Sequence, residues 1–235
     1  ANVHALSTRI VHGRHFWSRP HLRSVAAPSA RGGHCVAHLE TLGATLVLGG
    51  CDRKRCFHDG WLLRVWTKLA PREVRNGVIV ATADDEHEVA WEPLLAGGAA
   101  HAPSAAQRHS CVVHPRLEWL FVFGGCNLDG KCSNALHILR TDSGPAGRAG
   151  LLAAAPHWAK IEAVGTPPAP RGAHVALALP LGAEHSDGAI MLLGGASGEH
   201  WYADEPLLDL KMRCAAGCAP PSGHCRNWQC ECAAG

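Results

Sequence analysis

What the chain lacks narrows its class first. Across 235 residues no apolar run approaches the roughly 18 residues of a bilayer-spanning helix, so no membrane-spanning segment is expected. An excess of one sign of charge is also missing. The 22 Lys and Arg stand against 20 Asp and Glu, a formal net charge of +2, which gives no electrostatic reason to expect nucleic acid or a membrane surface as partner. The amino end has neither an initiating Met nor the apolar stretch of a secretory signal, and no Asn-x-Ser/Thr acceptor occurs. A His-Glu-x-x-His pair, a phosphate-binding loop, a Gly-x-Ser-x-Gly elbow and a Gly-x-Gly-x-x-Gly turn are all absent. No cofactor and no enzymatic activity are therefore expected.

What is present is a globular composition with hydrophobic residues at 47% and charged residues at 18%, enough apolar surface to offset the entropy of ordering. It is also repetitive. Three segments share a polar start, a His, a β-prone stretch and a second apolar run ending in two glycines. The first runs from Arg31-Gly-Gly-His34 to Gly49 and Gly50. The second runs from Ala106-Gln-Arg-His109 to Gly124 and Gly125, and the third from Arg171-Gly-Ala-His174 to Gly194 and Gly195. A Trp precedes each at a similar interval, at Trp17, Trp91 and Trp158.

Each unit reads as four strands: a His strand, a Gly-Gly strand, an outer strand such as residues 135–139, and a Trp strand. The runs at 46–48, 120–123 and 190–193 are continuously apolar, which fits strands buried on both faces between neighbouring sheets. A glycine pair recurring at one place points to close backbone approach or an unusual φ, because glycine otherwise weakens a strand. The period, about 70 residues, is long, and the excess is expected to form loops at 67–90 and 141–156.

The ordered set of Arg-x-x-His, Gly-Gly and trailing Trp resembles the Kelch repeat over roughly residues 1–212. The resemblance implies an all-β fold, a Kelch-type β-propeller of four-stranded blades around a channel. About three blades and part of another are expected, hence an incomplete ring: residues 2–6 look like residues 134–139, an outer strand that Trp17 completes, and no Trp strand follows the third Gly pair. Ala106 replaces the Arg of the second unit, which puts an Arg contact between blades in doubt there. Some Kelch-like propellers are copper radical oxidases with tyrosines at the metal, and this chain has one Tyr, Tyr202.

Composition changes after Met212. Residues 213–235 hold Cys214, Cys218, Cys225, Cys230 and Cys232, five cysteines in a piece too short for a hydrophobic core, so crosslinks or a metal must hold it. The spacing resembles an incomplete EGF-like module of the kind found in attractin-like and multiple-EGF-like ectodomains. That resemblance implies Cys214 paired with Cys225 and Cys218 with Cys230, leaving Cys232 without a partner; no calcium is expected. A zinc knuckle using cysteines and His224 is the competing reading.

Cys51 with Cys56, and Cys126 with Cys132, flank short loops at one position of two repeats, which favours two local disulfides over buried thiols. Cys35 and Cys111 fall on equivalent strands one position apart, so they are expected to face differently and their pairing stays open. His34-Cys35 with His38, and His109 with Cys111 and His114, suggest metal ligands at first sight, but His34, His109 and His174 recur as repeat markers and are expected to bond backbone inside their own blades, so no metal role is expected. The acidic run Asp84-Asp85-Glu86 with Glu88 is expected on a solvated loop, and Trp61, Trp66, Trp119 and Trp201 in packing.

These features lead to a non-catalytic scaffold of a secreted or cell-surface protein that binds a protein or glycan partner. The alternative is a cytoplasmic Kelch adaptor, for example one recruiting substrates to a ubiquitin ligase.

Overall fold

The computed structural model describes residues 3–6, 17–68, 72–81, 86–114, 119–141, 156–161, 163, 165–179, 188–209, 223–226 and 229–232. All its extended elements are β-strands, joined by turns and two short 3-10 segments. An opening pair, β1 (Ala5–Leu6) and β2 (Trp17–Ser18), is antiparallel with Leu6 opposite Trp17.

The first large sheet contains β3 (His21–Leu22), β4 (Cys35–Leu39), β5 (Ala44–Leu48) and β6 (Gly60–Lys68). A separate hairpin of β7 (Arg72–Arg75) and β8 (Val78–Ala81) precedes its last strand, β9 (Glu86–Pro93). The order across the sheet is β3-β9-β6-β5-β4, with only β3 parallel to its neighbour. The expected loop at 67–90 is thus largely ordered. Asn76 and Gly77 both adopt positive φ between β-prone flanks, the turn that two-residue hairpins favour. Of the acidic run, Glu86 and Glu88 lie on β9 and pair with Lys68 and Arg23, while Asp84 and Asp85 lie outside the described residues.

The second sheet is an uninterrupted antiparallel meander: β10 (Ser110–Val113), β11 (Leu120–Phe123), β12 (Leu136–Arg140) and β13 (His157–Ile161). It reproduces the four-strand unit read from the sequence, with the Trp strand at the edge. The third sheet holds β14 (Val175–Leu179), β15 (Ala189–Leu193) and β18 (Leu207–Asp209), with a small hairpin of β16 (Ala196–Ser197) and β17 (His200–Trp201) between. In the tail, β19 (Gly223–Arg226) pairs with β20 (Gln229–Cys232), which sets Cys225 opposite Cys230. Cys214 and Cys218 lie outside the described residues, and with them both pairings implied for the tail.

Register carries the repeat into three dimensions. In register Leu6 stands opposite Trp17, Leu63 opposite Trp91 and Leu139 opposite Trp158, and the last two are Leu–Trp cross-strand pairs between an outer strand and its Trp strand. Trp91 and Trp158 are buried.

The core fills the two gaps between successive sheets. Leu46, Leu48 and Leu62 of the first sheet meet Leu120, Val122 and Leu139 of the second. From the other face of the second sheet, Phe121, Phe123 and Ile138 meet Ile190 and Leu192 of the third. Strand β11 therefore alternates its side chains between two cores, which is why its sequence has no polar face. Strand β15 is half relieved: Ile190 and Leu192 are buried, while Ala189, Met191 and Leu193 are partly exposed.

Candidate functional site

The recurrent residues converge where the sheets meet. Both glycines of every pair have positive φ, from 61° to 97°, a backbone region that costs other L residues on the order of 1 kcal/mol or more. Sterics add a second demand. A methyl on Gly49 would stand 2.7 Å from the His109 ring, and one on Gly124 would stand 3.0 Å from the His174 ring. Each His therefore lies over the first glycine of the preceding sheet. Methyls on Gly50, Gly125 and Gly195 would instead meet the Cβ of His34, His109 and His174, the His of the same sheet, at 2.8–3.0 Å.

Backbone bonds repeat the same step from sheet to sheet. The Gly50 N–H donates to the Ala106 carbonyl (2.8 Å) and the Gly125 N–H to the Arg171 carbonyl (2.9 Å). The Arg108 N–H donates to the Gly33 carbonyl (2.6 Å), and the Ala173 N–H to the Arg108 carbonyl (2.8 Å). Gly33, Arg108 and Ala173 occupy the third position of the three His motifs and all have positive φ, although only the first is glycine. The inter-sheet bonds hold the other two in that strained region.

The histidines do not bond backbone within their own sheets, contrary to expectation. His34 is exposed. His174 is buried and its Nε2 lies 2.8 Å from the Ser110 hydroxyl of the second sheet. His109 is buried against the first sheet, and neither of its ring nitrogens makes a well-formed hydrogen bond. Burial is the main cause that lowers the pKa of both to about 4, opposed for His109 by the Leu48 backbone and reinforced for His174 by Arg171.

The arginines act inside a sheet, a correction to the contact between blades that the sequence suggested. The Arg31 side chain donates to the Ser29 and Gly49 carbonyls (3.1 Å each) and to both oxygens of Asp59, and its guanidinium lies 4.1 Å from the Phe57 ring centre. Arg171 repeats this with Ala169 (3.1 Å), Gly194 (3.0 Å), Asp204 and Tyr202 (4.0 Å). Asp59 and Asp204 are both held below the usual carboxylate range; the arginine bond is the foremost lowering cause in each, working against desolvation. In the second sheet the equivalent positions are Ala106, Ser133 and Ala135, as the bonds from Ser133 to Gly125 and from Gly124 to Ala135 show. Arginine, aromatic and carboxylate are lost together there.

Three disulfides lie among the described cysteines. Cys51–Cys56 and Cys126–Cys132 close the two loops as expected. At the equivalent place in the third sheet, Ala196 pairs with Trp201 in the β16–β17 hairpin. The third bond, Cys35–Cys111, joins the first sheet to the second with Cα atoms 5.7 Å apart. Their one-position offset is the reason they meet: neighbouring sheets confront each other with opposite faces, so partners must alternate. Sγ of Cys35, Sγ of Cys111 and a ring nitrogen of His109 lie within 4.8 Å of one another. Sequence reasoning grouped Cys35 with His34 and His38, and Cys111 with His109 and His114, each within one repeat; the structure instead brings Cys35 to His109 and Cys111 from the neighbouring sheet.

Between the second and third sheets lies a cavity of about 490 Å³, walled by Phe121, Phe123, Leu136, Ile190, Leu192 and Leu208, with Ser110, Asn134 and Thr166 as its polar side chains. Among the described residues no acid, lysine or cysteine lines it. The Ser110–His174 pair touches this space, but His174 Nδ1 has no partner to orient the ring as a base. Trp119 is buried and Trp61 donates to Asp59 (2.8 Å), whereas Trp66 stacks under Arg23 at the surface and Trp201 is 79% exposed, so the expectation of packing fails for Trp201. His38 is exposed beside Thr45. No helix among the described residues is long and apolar enough to cross a membrane.

No family model matches the chain. It is similar to acyl-CoA-binding domain-containing protein 5 of Arabidopsis thaliana, 33% identical over 92 residues, which are 39% of this chain and 11% of that protein. It is also similar to acyl-CoA-binding domain-containing protein 4 of the same plant, 28% identical over 127 residues, 54% of this chain and 16% of that protein. The chain thus spans about a tenth to a sixth of the curated relatives it matches.

Proposed function

We propose that the three large sheets are consecutive blades of a Kelch-type β-propeller followed by an EGF-like tail, and that the protein is a non-catalytic scaffold for a protein or glycan ligand outside the cell. The observation that carries this reading is the repeated inter-sheet step: Gly33 to Arg108 and Arg108 to Ala173, by the same backbone bond. One operation applied repeatedly builds a ring when its rotation closes. The first strands β4, β10 and β14 neighbour one another in that order, as inner strands around a common axis do.

Among the described residues the cavity wall is mostly apolar with a few polar side chains, which suits binding. The disulfides support an oxidising compartment. The acyl-CoA binding in the relatives' names belongs to proteins of which this chain matches too little to carry that activity here.

Two measurements test the reading. The oxidised full chain, applied to arrays of glycans and of secreted and cell-surface proteins, is expected to retain a ligand unchanged; chemical conversion of the ligand would overturn the scaffold. A non-reducing peptide map of protein from its native source is expected to show Cys51–Cys56 and Cys126–Cys132 bonded. Free thiols at all four would favour the cytoplasmic adaptor.

A further inference from the structure

The two gaps between sheets are chemically different, and the difference falls on metal-ligating side chains. Between the second and third sheets, His174 bonds the Ser110 hydroxyl, and the residue two beyond it is Ala176. Between the first and second, the equivalent His109 has Cys35 in place of that serine and Cys111 in place of that alanine. The same backbone framework therefore needs neither cysteine to hold its histidine. His109 is 8% exposed, makes no well-formed hydrogen bond, and has a ring nitrogen within 4.8 Å of both sulfurs. A buried imidazole whose ring nitrogens make no well-formed hydrogen bond, beside two sulfurs, is poorly satisfied as structure and apt as a ligand set.

We propose that Cys35, Cys111 and His109, with their disulfide reduced, form a three-coordinate site for a soft monovalent cation, Cu(I). Reduction is ordinary exchange: a dithiol reductant delivers two electrons and two protons to the Cys35–Cys111 bond and leaves as its own disulfide. Cu(I) then displaces the two thiol protons to solvent as two metal–sulfur bonds form, and His109 adds a ring-nitrogen lone pair. Thiolate sulfur selects soft ions and imidazole suits copper. Metal–sulfur bonds of about 2.3 Å require the sulfurs to part to roughly 4 Å, within reach of side-chain rotation at a Cα separation of 5.7 Å. A structural zinc site takes four protein ligands, and among the described residues no further His, Cys, Asp or Glu joins this group, so zinc here would need a water as its fourth ligand beside the buried His109. Disulfide and metal site are then alternative states of one locus, chosen by the redox setting.

The test compares the full wild-type chain with Cys35→Ser/Cys111→Ala, which copies the gap between the second and third sheets. Both are reduced with a dithiol, desalted without oxygen and titrated with Cu(I) against a chromophoric chelator. Other cysteines bind copper in both, so the readout is the difference. The wild type is expected to hold one more equivalent, and His109→Gln to hold that equivalent at least tenfold more weakly. Equal copper in wild type and double variant overturns the proposal, as does unchanged affinity in His109→Gln or a differential equivalent that forms with Zn(II) and not Cu(I). Should a variant unfold, isotope-coded alkylation of the reduced wild type decides: one bound equivalent must slow modification of Cys35 and Cys111, and unchanged rates refute the site.

Discussion

Arg171→Ala is the sharpest probe of the energetics within a sheet. Arg171 is completely buried, yet its partner Asp204 is about half exposed, so the two ends of the pair differ in worth. Leaving the exposed carboxylate out of the count, the substitution removes two charge-assisted bonds to the Ala169 and Gly194 carbonyls and the stacking on Tyr202. At about 1.5 kcal/mol for each bond, the loss is about 3 kcal/mol before any stacking contribution. Urea unfolding followed by Trp fluorescence measures it, with the slope checked so that a midpoint shift means stability. Phe57, Asp59 and Arg31 form the internal replicate, and Arg31→Ala is expected to cost a similar amount. The decisive variant is Arg31→Ala/Phe57→Ser/Asp59→Ala, which rebuilds the first sheet in the manner of the second. It must cost less than the sum of its single changes, because the second sheet folds with all three absent. A loss below about 1 kcal/mol for Arg171→Ala, or strict additivity in the triple variant, would refute the reasoning.

Other measurements follow from the same geometry. Gly124→Ala is expected to cost at least ~3 kcal/mol, since its methyl would stand 2.5 Å from the Arg171 carbonyl oxygen at positive φ. At Gly194 the nearest atom is 3.5 Å away, so alanine there should cost only about 1 kcal/mol, and similar midpoints for the two would contradict the account. Stability should be flat above pH 6.5, the ordinary His value, and fall as pH drops towards about 4, because the unfolded chain takes up the proton that folded His174 refuses. The slope in that window is about 1.4 kcal/mol per pH unit for His174. Ser110, Arg171 and His109 face it, and His174→Gln should reduce the slope. Replacing Cys35 and Cys111 together should lower stability by about 4 kcal/mol, because their bond closes a loop with a sequence separation of 76. Replacing Cys51 and Cys56, separated by 5, should cost about 2 kcal/mol; the reverse order in thermal melts would contradict the loop argument.

Much of the fold was legible because single residue types answer to single physical demands. The run at 120–123 announced burial between two sheets, the run at 190–193 did so for one face only, and the Gly pairs announced a backbone that no other residue tolerates easily. The four-strand unit was readable from spacing, and the second sheet realises it. What escaped depends on contacts between repeats. The work of His109 and His174 is done on the preceding sheet, which no pattern within one unit reveals. Cys35 and Cys111 were separated by a parity argument that holds within one sheet and inverts between two. The β7–β8 hairpin was missed for a different reason. Asn76-Gly77 between Val74-Arg75 and Val78 is a local turn signal, but it falls inside the excess of the long repeat period, where a loop was expected.

The joint absence of arginine, aromatic and carboxylate in the second sheet bears on how such a repeat can change. Two stable solutions exist in one chain, a charged clasp and an uncharged one. Two of the three single steps from the first to the second strand something: loss of the carboxylate strips the guanidinium of its counter-charge, and loss of the arginine leaves the carboxylate unpaired. The clasp is therefore a unit of inheritance larger than the residue. Sequence drift between the two forms must cross an unstable intermediate or change the arginine and the carboxylate together, while the backbone step between sheets, made by atoms every residue possesses, is indifferent to which form is in place.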